Sequence, residues 1–115
     1  MRERRILPRW ELRAGVTLES DDNLYAGISC DVSAGGIFVA TGSPPPVGSD
    51  VKVMVTMPDA TVLDLEGTVR WVRDCDEKSH GLPSGCGIEW HELPNEALRS
   101  LIHFAELRDP LLFEM

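Results

Sequence analysis

Lysine is nearly missing from this chain. Of its eleven basic residues only Lys52 and Lys78 are lysines, and the other nine are arginines. Basic charge itself is scarce, with 11 Lys and Arg against 19 Asp and Glu, giving a formal net charge of -8. That balance argues against binding a nucleic acid polymer, which works by neutralising many phosphates over a wide basic face. A small anionic ligand held by a local basic patch stays open. The three cysteines, an odd number at wide spacing, make no disulfide framework. No CxxC or HxxxH spacing suggests zinc. Neither a nucleophile with a paired base nor a facing pair of carboxylates stands out, so no enzyme is expected. No apolar run approaches the roughly 18–20 residues of a membrane span. The head is charged from Arg2 and has no apolar secretory core. A cytoplasmic protein without membrane insertion is expected, and 115 residues make one domain.

What is present is alternation. Trp10, Leu12, Ala14, Val16 and Leu18 share one parity, with mostly polar residues between them, the pattern of a half-buried strand. After the turn formers Ser20 to Asn23, the pattern resumes with Leu24, Ala26, Ile28, Cys30 and Val32 inward. Tyr25, Ser29, Asp31 and Ser33 face outward on this reading. Ala34-Gly35-Gly36 turns into Ile37–Thr41, apolar on both parities and so covered on both faces. Pro44-Pro45-Pro46 breaks the pattern. Val51, Val53, Val55 and Met57 form a fourth strand, and Pro58-Asp59-Ala60 a turn. A fifth strand puts Leu63, Leu65, Gly67, Val69 and Trp71 inward, and a sixth does so with Cys86, Ile88 and Trp90. Residues 74 to 85 between them read as a polar, mobile loop. After Pro94 the period becomes helical, with Leu98, Leu101, Ile102 and Ala105 on one face. The expected fold is all-β: a six-stranded antiparallel barrel over residues 11–92, a C-terminal α-helix over 93–107, and a tail, 108–115. The tail either docks on the barrel or contacts a partner. Cys30 and Cys86 fall on the inward parity, Cys75 and His80 in the loop, and His91 and His103 on polar faces.

The arginines concentrate at the head, residues 1–10, which reads as a flexible arginine-rich loop. Arg2, Arg4, Arg5, Arg9 and Arg13 leave the first thirteen residues at +3 and the rest at -11. Pro8 pushes Leu7 out of helical geometry, so Arg5 and Arg9 sit on a loop. Guanidinium forks suit phosphate and the O6 and N7 of guanine, and the carboxylate of Asp31 suits its N1–H and N2–H. A compact molecule carrying guanine and phosphate would use both.

Arg5-Ile6-Leu7-Pro8-Arg9 resembles the RxxxR motif of PilZ domains, and Asp31-Val32-Ser33-Ala34-Gly35-Gly36 resembles their [D/N]xSxxG motif. Gly85-Cys86-Gly87-Ile88-Glu89-Trp90 stands where such chains often read Gly-x-x-Phe. The likeness spans nearly the whole chain. It implies a PilZ-type barrel that binds cyclic di-GMP. Arg5 and Arg9 would then hold guanine and phosphate. Asp31, Ser33, Gly35 and Gly36 would supply the second contact surface, on another guanine or the backbone. An arginine just before RxxxR, here Arg4, goes with an intercalated ligand dimer and so with two molecules per domain. Trp10, where a smaller aliphatic is commoner, points to the core by parity; stacking beside the ligand is its other possible place.

The resemblance thus implies a receptor or adaptor with no cofactor. It would change conformation on binding and regulate an unidentified protein effector in motility, pilus, adhesion or exopolysaccharide pathways. The alternative is a protein–protein interaction module indifferent to cyclic di-GMP. An oligonucleotide-binding barrel is disfavoured by the acidic body and by the scarcity of outward aromatics, Tyr25 being the clear one.

Overall fold

The computed structural model describes residues 9–21, 23–74 and 84–106. Arg2, Arg4, Arg5, Cys75, His80 and the 107–115 tail lie outside them. Among the described residues seven strands precede one helix: β1 (Trp10–Glu11), β2 (Gly15–Ser20), β3 (Asn23–Val32), β4 (Gly36–Ala40), β5 (Asp50–Thr56), β6 (Val62–Arg73), β7 (Gly85–Trp90) and α1 (Asn95–Glu106). All pairings are antiparallel. The order β3-β2-β5-β6-β7-β4 returns to β3, so six strands close a barrel and leave no open edge there. The short β1 adds to β3.

β1 and β2 are the two halves of the first strand, offset against β3 by one residue. Trp10 opposes Val32 in one register and Gly15 opposes Ile28 in the other. Leu12 and Ala14 occupy the offset, both with buried side chains. Ser29 seals it, for its fully buried Oγ accepts from the Ala14 amide at 3.0 Å and donates to the Leu12 carbonyl. The expected inward set of this strand holds, and Trp10 packs against the core.

In β3 the expected parity is inverted. Leu24 and Ile28 are exposed, whereas Ser29 is buried and Tyr25 packs partly on the core. The cause is a bulge: the register with β4 shifts between Ser29 and Asp31, making Cys30 the extra residue. A bulge adds a residue without a partner and reverses the parity of the residues beyond it. Val32 is therefore inward and Asp31 outward, as expected, while Cys30 is half-buried and not a core residue. A second bulge lies between Val69 and Trp71, with Arg70 as its extra residue. It turns Trp71 outward, against the inward expectation, to 44% exposure. Cys86 is fully buried, as its parity indicates, and burial raises its thiol pKa to about 11.

The core runs through Leu12, Leu18, Val39, Val53, Val55 and Val69, all of them sealed from solvent. The helix begins where the Pro94 carbonyl accepts from the Leu98 amide at 3.0 Å. It has Glu96 in its first turn and His103 in its last, each suited to the helix dipole. Ala97 and Leu101 press its apolar stripe into the core beside β1.

Candidate functional site

The turn between β3 and β4 is held from behind. The Ser33 amide donates to the Gly36 carbonyl at 2.9 Å, closing the hairpin. The Ser33 hydroxyl accepts from the Gly35 amide at 3.1 Å. From β7, the Trp90 amide donates to the Gly35 carbonyl at 3.1 Å and its indole Nε1 to the Ser33 carbonyl at 3.1 Å. Ser33 is thus buried, not outward as its parity suggests, and its hydroxyl shapes the turn. Gly36 has no room for a side chain, because a Cβ there would strike the Ile88 carbonyl. What the turn offers outward is the Ala34 methyl and, at Gly35, backbone without a side chain.

Asp31 stands just before this turn on the outer face of the barrel. Arg9 reaches it directly: Nε donates to Oδ1 at 3.0 Å and a terminal guanidinium nitrogen to the same oxygen at 2.5 Å. Both side chains are partly solvated, so the pair contributes little to stability, about 0–1 kcal/mol, and gives way readily to a better partner. Of the expected site residues, Arg9, Asp31, Ser33, Gly35 and Gly36 are brought together. Arg4 and Arg5 lie outside the described residues.

Beside them stands a group that alternation conceals. Trp71 stacks on Phe38, ring centroids 5.2 Å apart and planes 15° from parallel. The Arg73 guanidinium lies 4.9 Å from the centre of the Phe38 ring and 5.4 Å from that of Trp71, in range for cation–π attraction. Gly87, directly across from Trp71, makes the space, since a Cβ there would meet the indole. Phe38 is covered by this layer, which accounts for the two-sided apolar pattern of β4. The clear outward aromatic is Trp71, not Tyr25. Nothing in residue type marks Arg70 as a bulge; Gly87 opposite is the one available hint.

Two hollows flank this wall. One, of about 460 Å³, is bordered by Ser33, Gly35, Gly36, Gly87 and Glu89. The other, of about 470 Å³, is bordered by Arg13, Cys30, Asp31, Phe38 and Arg73. Arg9 and Trp71 border both. Each falls in the size range of small-molecule sites, roughly 300–1,000 Å³. Arg70 enters the first and is paired with Glu89 at 2.6 Å. Desolvation, then the Asp31 carboxylate, raises the Cys30 thiol pKa in the second. Acceptors, guanidinium forks, an indole face and bare backbone therefore share one surface. That set can grip a flat, hydrogen-bonding, anionic molecule. Among the described residues no cluster of His, Cys, Asp and Glu could hold a metal ion, and no helix is long and apolar enough to cross a membrane.

Two of the solved structures that share the fold are informative. The inhibitor of motility MotI/DgrA of Bacillus subtilis has a TM-score of 0.72 at 19% identity, covering 92% of this chain. The chain spans about half of that protein, 51%. The PilZ domain of YcgR from Escherichia coli, solved with c-di-GMP, has a TM-score of 0.69 at 14% identity, covering 93% of this chain and 91% of that one. No curated protein matches in sequence. The family model of the PilZ domain matches residues 3–107, both motif segments and the helix included. The chain belongs to the PilZ domain family.

Proposed function

We propose that this chain is a cyclic di-GMP receptor without catalytic activity, acting in the cytoplasm on a protein effector. The observation that carries the reading is the convergence of Arg9 and Asp31 with the bare Gly35–Gly36 backbone and the Trp71 face. Asp31 accepts from a guanine N1–H and N2–H, and Arg9 takes O6 and N7 or a phosphate. Trp71 and Arg73 offer stacking to a base face. In the free protein Arg9 and Asp31 satisfy each other, and the ligand replaces that pair with two stronger, complementary ones. Arg5 joins Arg9 on the ligand, and Arg4 sets two ligand molecules per domain. Closing of the head over the site repositions it for an effector. The c-di-GMP held by YcgR and the motility role in the name of MotI favour a motility output.

Isothermal titration with cyclic di-GMP tests this. Binding is expected at tens of micromolar protein, and Arg9→Ala should weaken it by about 1–3 kcal/mol, roughly ten- to hundredfold, with the melting temperature nearly unchanged. No heat sinks the ligand reading. Capture of an effector equally well with and without the nucleotide would favour a ligand-independent interaction module.

A further inference from the structure

One wall of the first hollow is acidic. Glu89 stands in β7 between Ile88 and Trp90, both buried, so its own side chain points out of the barrel. Its register partner on β4 is Gly36, the last glycine of the motif turn. Two residues back on the same parity is Gly87, over which the Trp71 indole lies, about 7 Å along the strand. Glu89 borders the hollow of about 460 Å³ together with Ser33, Gly35 and Trp71. A molecule resting on the Gly35 backbone and the indole therefore meets this carboxylate. Toward an anionic ligand a bystander carboxylate is only repulsive.

We propose that Glu89 is a guanine-reading residue, its carboxylate accepting from N1–H and N2–H, and that Arg70 positions it; this rests on cyclic di-GMP being the ligand. The two donors lie side by side on one edge of guanine, and a carboxylate presents two oxygens to them. The corresponding edge of adenine has a ring nitrogen with a lone pair, which a carboxylate repels. Arg70 is the extra residue of the β6 bulge, a device that re-aims a side chain. Its Nε donates to Glu89 Oε1 at 2.6 Å. A carboxylate has about four acceptor sites, so this bond fixes the group and leaves acceptors for a base. Both side chains are more than half exposed, so the pair itself adds little to the stability of the fold.

The arrangement repeats that of Arg9 and Asp31. Each pair joins a guanidinium Nε to one carboxylate oxygen. Glu89 borders one hollow and Asp31 the other, and Trp71 borders both. Cyclic di-GMP carries two guanines, and each carboxylate suits one.

Isothermal titration of the full chain with cyclic di-GMP, and with cyclic di-IMP, whose bases lack only the N2 amine, tests the role of Glu89. Glu89→Gln keeps the shape and one acceptor oxygen while removing a negative charge from the path of an anion. It should weaken cyclic di-GMP binding about ten- to hundredfold, with the melting temperature unchanged. A bystander carboxylate gives the opposite sign, a tighter complex. The unmodified chain should hold cyclic di-IMP more weakly than cyclic di-GMP, and Glu89→Gln should narrow that gap, because the acceptor it loses is the one N2–H uses. Arg70→Ala should weaken cyclic di-GMP binding in the unmodified chain and change it little in Glu89→Gln, as coupled residues do. Unchanged or tighter binding by Glu89→Gln, in a chain that binds cyclic di-GMP, overturns the role of Glu89 and leaves the receptor reading standing. A gap of the same size in both proteins does the same. No heat from the unmodified chain sinks the receptor reading, and this role with it.

Discussion

Single side chains decide two matters in this molecule. Trp71 is outside only because Arg70 is the extra residue of a bulge, and its face is then free to meet a base. Trp71→Ala should keep the fold, since the residue is half exposed. It should weaken cyclic di-GMP binding by about 1–3 kcal/mol, the scale of base–aromatic stacking. Trp71→Phe should recover most of that, and titration of the three proteins checks it. Unchanged affinity in the alanine variant would assign the indole to packing on Phe38 alone. Ser29 has the opposite character. It is fully buried, and its hydroxyl joins the Ala14 amide to the Leu12 carbonyl where β1 and β2 part. Ser29→Ala strands both groups away from water and should cost about 1–3 kcal/mol. The urea midpoint should fall with the m-value unchanged.

At the scale of elements, the chain is legible wherever pairing is regular. Alternation locates β2, β5 and β7 and their inward residues, and the change of period locates α1. It fails within β3 and at the end of β6, for one physical reason. Parity carries the face of a strand only while each residue has one partner, and Cys30 and Arg70 each break that rule. Neither residue type announces a bulge, so alternation puts Tyr25, Cys30 and Trp71 on the wrong side; Ser33 is misplaced for another reason, since β3 has ended and the turn folds it under Trp90. The site itself is half visible: Arg9, Asp31 and the glycine turn stand out by motif. The Trp71–Phe38–Arg73 layer does not, because it depends on the bulge. The turn joining β5 to β6 is plain from Pro58-Asp59-Ala60, yet it carries strain. Ala60 sits at a φ of 76°, a left-handed conformation that side chains avoid. Its amide still donates to the Met57 carbonyl at 2.8 Å, and the Met57 amide to the Thr61 carbonyl at 2.7 Å. Ala60→Gly should keep these bonds and relieve the strain, less the greater chain entropy glycine loses. A gain of about 0.5–1 kcal/mol is expected, seen as a melting temperature higher by roughly 2–5 °C. A decrease would mean that the alanine methyl makes a contact worth more than the strain.

Over the whole molecule, the arrangement of charge makes the head and the barrel unequal partners. The first thirteen residues carry +3 and the remainder -11, opposite signs that attract in the free protein. In that state Arg9 is held by Asp31, in a solvated pair of small worth. A dianionic ligand placed between them gives the guanidinium groups phosphates to hold and leaves the carboxylate to a guanine. The two hollows, about 460 and 470 Å³, meet at Arg9 and Trp71. Both therefore open on the same guanidinium and the same indole. If two ligands are held, Arg4 is the residue we expect to set that number, as the resemblance to PilZ domains implies for an arginine just before RxxxR. Titration of the unmodified chain should give a ratio near two. Arg4→Ala should give a ratio near one, with the remaining molecule bound about as tightly as before. Arg9→Ala should instead weaken the affinity. A ratio of one in the unmodified chain removes the role given to Arg4. A ratio of two in Arg4→Ala means that the hollows hold both ligands by their own walls.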